Sequence, residues 1–344
     1  MKIVIDQAVP FIRNVFEPYA EVVYKDGAEI SRTDLVDADA LICRTRTECN
    51  AELLLGTAVQ IIATTTVSTS NIDTAFCEDH GIVMSNAAGS NSGGVMNYVF
   101  SALYGAAARR SLPLLGATFG IVGVGSTGKM VERTAQHLGF KILRYDPPRA
   151  EKEGPGNFCD LDTLLESSDI VSLHLPTNDN TRNIANDEFF SKMRLGAAFI
   201  NAASGDLVDE DALIRQHSKL GPIIIDTWKN EPDINLKLMD IADIATPHIA
   251  GYSYQGKLRS TMMPVRAVAR YFGIQELYDF FPVSEIEELN AVKLDLKGKN
   301  QGQIASIMQY NYPIFTDDFL FRVNPQGFIQ LRDGYKYRKE FYTD

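Results

Sequence analysis

The chain has 344 residues, a length typical of two or three domains of roughly 150 residues each. Apolar residues make up 45% and charged residues 22%, which excludes disorder over most of the length. The 33 Lys and Arg against 44 Asp and Glu give a formal net charge of −11, which argues against nucleic acid and membranes as partners.

The first ninety residues alternate short apolar runs with stretches of helical spacing, starting directly at the N-terminus. The predicted strands are Lys2–Ile5, Glu21–Tyr24, Ala38–Arg44, Gln60–Thr65 and Gly81–Met84. The predicted helical stretches between them include Ile12–Tyr19 and Asn71–Glu78. This alternation is typical of βαβ units around a parallel sheet. A long helix is predicted over Asn91–Arg110, with Ser92 as its cap.

A second alternating series begins at Thr118. Its predicted strands are Thr118–Gly123, Lys141–Tyr145, Ile170–Leu175, Ala198–Ala202, Ile223–Asp226 and Ile244–Ala245. The pattern changes after about Phe281, where Pro282 interrupts it, so residues 284–344 are predicted to form a third, smaller module. No apolar run reaches the length of a membrane span and no signal segment precedes the first strand, so we expect a cytoplasmic protein.

The four cysteines show neither CxxC spacing nor a histidine partner at metal spacing. They are Cys43, Cys49, Cys77 and Cys159. We therefore expect reduced thiols, buried or half-buried, and no metal site. A small anionic substrate remains compatible with the acidic composition, because a local arginine cluster or a helix N-terminus can bind one.

A glycine-rich turn follows the first strand of the second series. Its glycines are Gly123, Gly125 and Gly128, spaced G-x-G-x-x-G. They precede a predicted helix over Lys129–Leu138, and this context favours a dinucleotide site over a loop that merely needs glycines. Asp146 ends the next strand, where a carboxylate accepts from a ribose hydroxyl and repels a 2′-phosphate, so NAD is favoured over NADP. Arg149 is a nearby cation that would soften this preference.

Three further polar segments follow predicted strands of the second series. They are Asn201–Gly205, Asp226–Pro232 and Thr246–Tyr252. Ligands of open α/β sheets bind at these strand ends. A carbonyl–alcohol redox step needs a proton donor and acceptor, which suits histidine, so we pair His248 with Glu231. The alternative is a hydrogen-bonded loop histidine. His174 ends a strand where it could line a cofactor cleft. The remaining histidines, expected in solvated positions, are His80, His137 and His217.

These residues resemble the D-isomer-specific 2-hydroxyacid dehydrogenases over nearly the whole chain. The more specific marks are Arg44-Thr-Arg-Thr, Asp146-Pro-Pro-Arg149, Glu231-Pro-Asp-Ile-Asn, Thr246-Pro-His-Ile-Ala-Gly-Tyr252 and Leu331-Arg-x-x-Tyr335-x-x-Arg338-x-Glu340. The resemblance implies an α/β fold with two Rossmann-like or flavodoxin-like doubly wound parallel-sheet domains and a small α+β C-terminal domain. It implies a discontinuous substrate-binding domain (1–93 and 253–283), an NAD-binding domain (94–252) and a dimerisation domain (284–344), with substrate in the cleft between the first two.

The resemblance further implies a homodimer that oxidises a 2-hydroxyacid with NAD, and it favours 4-phospho-D-erythronate as the substrate. His248 would be the general acid/base and Glu231 its partner. The expected cofactor site comprises Gly123, Gly125, Ser126, Thr127, Gly128, Asp146, Leu175, Ala202, Ala203, Asp226 and Gly251. The expected substrate contacts are Arg44, Thr45, Thr66 and Tyr252.

The sequence departs from the family pattern at the expected site. Where the family has Asn-x-x-Arg-Gly, this chain has Asn201-Ala-Ala-Ser204-Gly205, so Ser204 holds the position of the catalytic arginine. That arginine pairs with the substrate carboxylate, whereas a serine offers one neutral hydrogen bond. Further departures are Thr66–Asn71, Asn97 and Tyr312–Asp317.

Three hypotheses therefore stay open: an active dehydrogenase, an NAD-binding paralogue without turnover, or an enzyme for another acid. In the third, Arg44 or Arg46 would anchor the substrate, since alternate residues of one strand share a face. The alternative for these two residues is a solvated arginine pair. Lys336 and Arg338 are further candidate cations if a partner subunit reaches over.

Overall fold

The computed structural model describes residues 1–282 and 290–343 of the chain. Its strands are β1 Lys2–Asp6, β2 Glu21–Lys25, β3 Ala40–Cys43, β4 Ile61–Thr64, β5 Val83–Ser85, β6 Thr118–Val122, β7 Lys141–Tyr145, β8 Ile170–Leu173, β9 Ala198–Asn201, β10 Ile223–Ile225, β11 Ile244–Ala245, β12 Val292–Leu294 and β13 Phe341–Thr343. Its α-helices are α1 Arg32–Leu35, α2 Ala51–Leu54, α3 Thr74–Asp79, α4 Ser92–Arg110, α5 Ser126–His137, α6 Pro147–Glu153, α7 Leu161–Ser167, α8 Asp187–Lys192, α9 Glu210–Gln216, α10 Leu236–Ile241, α11 Tyr254–Phe272, α12 Gln301–Asn311, α13 Ile314–Val323 and α14 Phe328–Asp333.

Contacts within the described residues divide the chain into two compact units. The first unit comprises Met1–Asn91 with Tyr254–Asn290, and the second comprises Ser92–Ser253 with Ala291–Asp344. The predicted boundary at residues 283 and 284 lies outside the described residues. The predicted C-terminal dimerisation domain and the other predicted domain limits stay predictions.

The first unit is built on a five-stranded parallel sheet in the order β2-β1-β3-β4-β5. This order is that of flavodoxin-like folds. Along β1, Ile3 and Ile5 join one buried apolar cluster while Val4 joins another, because successive side chains point to opposite faces. Helix α11 packs on the first face through Val265 and Val268. Both faces of the sheet are thus covered, as expected for parallel strands.

The second unit contains a six-stranded parallel sheet in the order β11-β10-β9-β8-β6-β7. The chain leaves β6 toward β7 at one edge and returns to β8 on the other side of β6, which makes the ends of β6 and β8 a topological switch point. Helix α4 is buried on all sides from Ser92 to Ala107, which explains why this stretch carries no charged residue.

The C-terminal segment of the second unit adds a small parallel sheet of β12 and β13. Asn97 of α4 holds this sheet, because its amide donates to the Phe341 carbonyl (2.7 Å) and accepts from the Phe341 N–H (2.9 Å). Asn97 is one of the departures from the family pattern, and these two bonds give it a structural reason. The predicted fold class, two doubly wound parallel sheets with a smaller additional sheet, is confirmed.

Two local predictions are wrong, and a third is confirmed only in part. Residues Ile12–Tyr19 form successive turns instead of a helix, because Asn14 adopts a left-handed φ of 63°, which interrupts α-helical hydrogen bonding. In the stretch Asn71–Glu78 only α3 is helical, and it is capped by Asp73. Ser92 lies inside α4, where its hydroxyl contacts the Thr127 hydroxyl (3.0 Å) instead of capping the helix.

The four cysteines are free thiols, three of them buried and Cys159 half-buried, as predicted. None of the helices in the described ranges is long and apolar enough to cross a membrane.

Candidate active site

The glycine-rich turn joins β6 to α5 at the switch point of the second unit. Gly123 has a φ of 93°, a conformation that residues with a side chain rarely adopt. A Cβ on Gly128 would lie 2.1 Å from the Gly123 carbonyl oxygen, so only glycine lets the helix approach the turn this closely. A Cβ on Gly125 would meet open space, which leaves room above the first turn of α5. Ser126 is exposed and Thr127 half-buried at this N-terminus.

Asp146 follows β7 and lies next to the turn. Its two carboxylate oxygens accept from the Val124 N–H (2.8 Å) and from the Arg149 N–H (3.1 Å), so the side chain fixes the turn and caps α6. The Arg149 guanidinium is occupied by Glu153, with two contacts of 2.7 Å, and by the Val124 carbonyl. Both nitrogens that contact Glu153 are therefore neutralised by a carboxylate, which weakens Arg149 as a phosphate ligand.

The structure brings Glu231 and His248 together. His248 Nδ1 lies 2.7 Å from Glu231 Oε2, while Glu231 Oε1 accepts from the Trp228 N–H (2.9 Å). Side-chain exposure is 37% for the imidazole and 19% for the carboxylate, so the histidine is open to a ligand and its partner is more enclosed. With Nδ1–H donated to the carboxylate, Nε2 carries a free lone pair and can accept a proton.

Asp226 organises the loop that carries His248. Its buried carboxylate accepts from the N–H groups of Ile249 and Ala250, both at 2.9 Å, and from the Thr246 hydroxyl at 2.7 Å. Burial raises the pKa of the Asp226 carboxyl, while His248 and these hydrogen bonds oppose the rise. The loop holds His248 at a left-handed φ of 56°, an uncommon conformation that functional sites maintain through such surrounding bonds. Its expected role at the cofactor site stays a prediction.

His174 lies at the other side of the switch point, immediately after β8. The backbone of His174 would be 2.8 Å from a Cβ on Gly123, so the two strand ends are in contact. Its Nε2 lies 2.9 Å from the Ser172 hydroxyl, and burial lowers the pKa of the imidazole to about 3. The histidine is therefore neutral, and its Nδ1 has no protein partner among the described residues. His80, His137 and His217 are exposed, as predicted.

Ser204 follows β9, at the same edge of the sheet. Its carbonyl accepts from the Asn201 amide (2.9 Å), and the next residue, Gly205, packs directly on the Trp228–Lys229 backbone. This contact places Ser204 beside the segment that leads to Glu231. Leu175 and Ala203 are half-buried, and Ala202 is buried. Their expected cofactor contacts, like that of Gly251, stay predictions.

The expected substrate residues Arg44, Thr45 and Thr66 lie in the first unit. Strand β3 ends at Cys43, and residues 44–47 form a turn, so the assumption that Arg44 and Arg46 share one strand face is wrong. Arg46 is exposed and lies 3.4 Å from Asp26. Arg44 donates to the Ala8 carbonyl (3.3 Å), and the Thr66 hydroxyl donates to the Ser68 carbonyl (2.8 Å).

The tail contributes a cation that sequence reasoning missed. Arg332 of α14 donates from Nε to the Tyr252 hydroxyl (3.2 Å), and its Nη1 lies 4.0 Å from Glu231 Oε2. Its only sequence signal was its position in the family-like tail motif that begins at Leu331. Arg338, from the same motif, is held by Asp317 (2.8 Å). Burial raises the pKa of the Asp317 carboxyl to about 6, and Arg338 opposes the rise.

Comparison with known proteins finds relatives along nearly the whole chain. Residues 100–250 match the family model for the NAD-binding domain of D-isomer specific 2-hydroxyacid dehydrogenases. The chain is 37% identical to the erythronate-4-phosphate dehydrogenase of Bacteroides fragilis, covering 99% of this chain and 97% of the relative. It is 35% identical to the enzyme of that name from Yersinia pestis, covering 99% of this chain and 93% of the relative.

Two solved structures extend this similarity to the fold. D-lactate dehydrogenase from Aquifex aeolicus, complexed with NAD and lactic acid, is 25% identical, with a TM-score of 0.63 and coverage of 83% of this chain and 100% of that one. The NAD+-bound 3-phosphoglycerate dehydrogenase of Entamoeba histolytica is 26% identical, with a TM-score of 0.65 and coverage of 83% and 99%.

Proposed function

We propose that this chain, which belongs to the D-isomer-specific 2-hydroxyacid dehydrogenase family, oxidises 4-phospho-D-erythronate to its 2-oxo acid. The chain is an NAD-dependent 2-hydroxyacid dehydrogenase, and the identity of the acid is the proposed part. The substrate is supported by relatives named erythronate-4-phosphate dehydrogenase at 35–37% identity over 99% of the chain. This reaction would place the enzyme in pyridoxine biosynthesis.

We assign proton transfer to His248. The observation that carries the assignment is the 2.7 Å contact between His248 Nδ1 and Glu231, which leaves Nε2 free as a base. In oxidation, Nε2 takes the proton of the 2-hydroxyl group while the electron pair of the C2–H bond leaves as hydride and C2–O becomes a carbonyl. Glu231 stabilises the imidazolium that forms, because its charge lies on the opposite side of the ring.

The turn between β6 and α5 is the proposed diphosphate site. NAD, when bound, supplies the nicotinamide carbon that accepts the hydride. The open space over Gly125 and the free N–H groups at the start of α5 suit a diphosphate, and Asp146 suits a ribose hydroxyl. We keep Ser126, Thr127, Leu175, Ala202, Ala203, Asp226 and Gly251 as proposed neighbours of the cofactor.

The first unit offers a candidate anchor for an anionic part of the substrate. Burial and, secondarily, the charge of Arg44 lower the pKa of Lys257 to about 8, which indicates that two basic side chains lie near each other. An anion relieves such repulsion. We therefore propose Arg44, with Thr45 and Thr66, as substrate ligands. Arg44→Ala should raise KM sharply, whereas Arg46→Ala, whose guanidinium faces Asp26, should not. Equal KM values in both variants and the parent would exclude this anchor.

The test of the proposed function is NADH formation from a panel of 2-hydroxyacids that includes 4-phospho-D-erythronate. Turnover should be fastest with that acid, and His248→Gln should lower kcat by about 10²–10⁴. The matched control is His217→Gln, which removes an exposed histidine whose ring contacts the Ile214 carbonyl at 2.8 Å. Protein that binds NAD but oxidises no acid of the panel would refute the proposal, and an active His248→Gln variant would refute the assignment of the base.

A second candidate, an NAD-binding paralogue without turnover, is favoured by Ser204. Loss of a donor that stabilises developing charge costs about 10²–10³ in rate. Ser204→Arg separates the two candidates. A large gain in turnover would show that the site lacks only one guanidinium. If the parent has no turnover and Ser204→Arg has none either, the other departures from the family pattern also prevent catalysis.

We also propose that the chain forms a homodimer through its C-terminal segment. Helix α13 exposes Phe319 (62%) and Val323 (60%), which lie one helical turn apart and offer apolar contacts to a second copy. Light scattering of the parent should report a dimer, and Phe319→Asp with Val323→Asp should give a monomer. A monomeric parent at micromolar concentration would refute this proposal.

A further inference from the structure

The acid/base group of the second unit has an excess of negative charge for a site that must receive an anion. Glu231 and the buried Asp226 both lie within hydrogen-bonding distance of the 246–250 loop or its side chains. A 2-hydroxyacid brings a further carboxylate next to the reacting carbon. Ser204, at the position of the family arginine, carries no charge to offset it. A cation must therefore come from another part of the fold if the site is to bind this substrate.

Arg332 is a cation that reaches this group within the same unit. Its Nη1 is 4.0 Å from Glu231 Oε2, and this same oxygen is 2.7 Å from His248 Nδ1. Its Nε donates to the hydroxyl of Tyr252, four residues beyond His248. The guanidinium thus lies between the acid that orients the imidazole and the tyrosine at the end of the same loop. Its side chain is 32% exposed, so a ligand can reach it.

The guanidinium of Arg332 also has unused donors. An arginine has five N–H groups, and in the described part of the chain Arg332 uses only Nε–H in a hydrogen bond. Arg322 on α13 is a contrast, because its Nε, Nη1 and Nη2 all donate to protein oxygens at 2.7–2.9 Å. Arg322 is built into the fold, whereas both terminal nitrogens of Arg332 remain available for a bidentate contact with a carboxylate.

We propose that Arg332 binds the substrate carboxylate and so replaces the guanidinium that position 204 lacks. This inference rests on the proposed oxidation of a 2-hydroxyacid. As the hydroxyl proton passes to His248 Nε2, negative charge grows on the 2-oxygen before the hydride has fully left C2. A guanidinium held on the adjacent carboxylate stabilises that charge and fixes the C2–H bond in one orientation. The arginine comes from the tail, about 130 residues from Ser204 in the chain.

The kinetic test compares Arg332→Gln and Arg332→Lys with Arg215→Gln, which removes an exposed arginine that forms an ion pair with Asp187. Arg332→Gln should lower kcat by about 10²–10³ without changing the Kd for NAD. Arg332→Lys should recover part of the lost kcat. Guanidinium ion added at a sub-denaturing concentration should activate Arg332→Gln but neither the parent nor Arg215→Gln. In the Arg332→Gln background, Ser204→Arg should restore turnover. A loss that neither guanidinium nor Ser204→Arg relieves would mean a structural role and would overturn the proposal.

A binding test distinguishes failure of this inference from failure of the proposed function. Oxalate mimics the carboxylate and carbonyl oxygens of a 2-oxo acid, and its affinity for the NADH-loaded protein should fall at least about tenfold in Arg332→Gln. Inorganic phosphate serves as the second probe, and a selective loss of phosphate binding would assign Arg332 to the phosphate end and overturn the carboxylate contact. If the parent oxidises no acid but its oxalate binding depends on Arg332, the proposed oxidation is refuted and the carboxylate contact of Arg332 is supported. Unchanged oxalate binding overturns the inference whatever the turnover.

Discussion

Replacing Glu231 by glutamine tests the acid/base pair with almost no change in shape. The carboxylate accepts on both oxygens, from the Trp228 N–H (2.9 Å) and from His248 Nδ1 (2.7 Å), but an amide has only one accepting oxygen. If that oxygen stays on Trp228, the amide N–H₂ faces Nδ1 and forces the proton onto Nε2. The imidazole then has no lone pair toward the substrate. The same tautomer inversion in other enzymes lowers kcat by about 10⁴, so we expect a loss of about 10²–10⁴.

The opposite amide orientation does not rescue the site. The N–H₂ would then face the Trp228 N–H, and one unsatisfied backbone donor costs about 1–3 kcal/mol. Oxidation and reduction should slow by the same factor in kcat/KM, since the equilibrium constant is unchanged. The matched control is Glu210→Gln, another largely buried glutamate of this unit that accepts a backbone N–H, from Lys229 at 2.8 Å. Measured by NADH absorbance, a Glu231→Gln kcat within about tenfold of the parent would refute the reasoning.

Three further substitutions test the supports of the site. Asp226→Asn leaves one accepting oxygen for the two N–H groups of Ile249 and Ala250. Urea unfolding should therefore show a loss of about 1–3 kcal/mol in stability, and kcat should fall. An unchanged unfolding midpoint would contradict this role of Asp226. His174 has a folded pKa near 3 against about 6.5 unfolded, so its unfolded form gains a proton first and stability falls as pH drops from about 6.5 toward 3. The parent should lose about 1.6 kcal/mol of stability through this group between pH 6.5 and pH 5, and His174→Gln should remove that loss. Identical pH profiles would argue against a neutral imidazole in the folded protein. Asn97→Leu removes the hydrogen-bond partner of both the Phe341 N–H and the Phe341 carbonyl. The free energy of unfolding should fall by about 2–4 kcal/mol, and amide hydrogen exchange in β13 should become faster. Unaltered exchange would show that other contacts hold β13.

The sheet architecture is predictable from the sequence because parallel strands buried on both faces need continuous apolar runs. The runs around Ile3, Leu41 and Phe199 are of this kind, and the structure has β1, β3 and β9 there. The glycine spacing is equally informative, since Gly128 is required by a 2.1 Å approach that no other residue allows. Each of these signals is local and reflects one steric requirement.

Other features depend on the backbone conformation of single residues or on contacts between segments that are far apart in the sequence. Ile12 and Phe16 are both buried and are spaced as in a helix, but Asn14 between them adopts a positive φ. The spacing of apolar residues therefore predicts a helix where the chain forms turns. The alternation that would place Arg44 and Arg46 on one face ends with β3 at Cys43. Arg332 could not be placed by spacing, because only the fold brings α14 to the 246–252 loop.

The double hydrogen bond between Asn97 and Phe341 has a consequence for biosynthesis. The two residues are 244 positions apart in the sequence. During synthesis, the Asn97 amide, which lies in the buried part of α4, therefore has no backbone to bind until Phe341 has been added and has left the ribosome. The second unit thus completes this part of its interior long after α4 itself has been made.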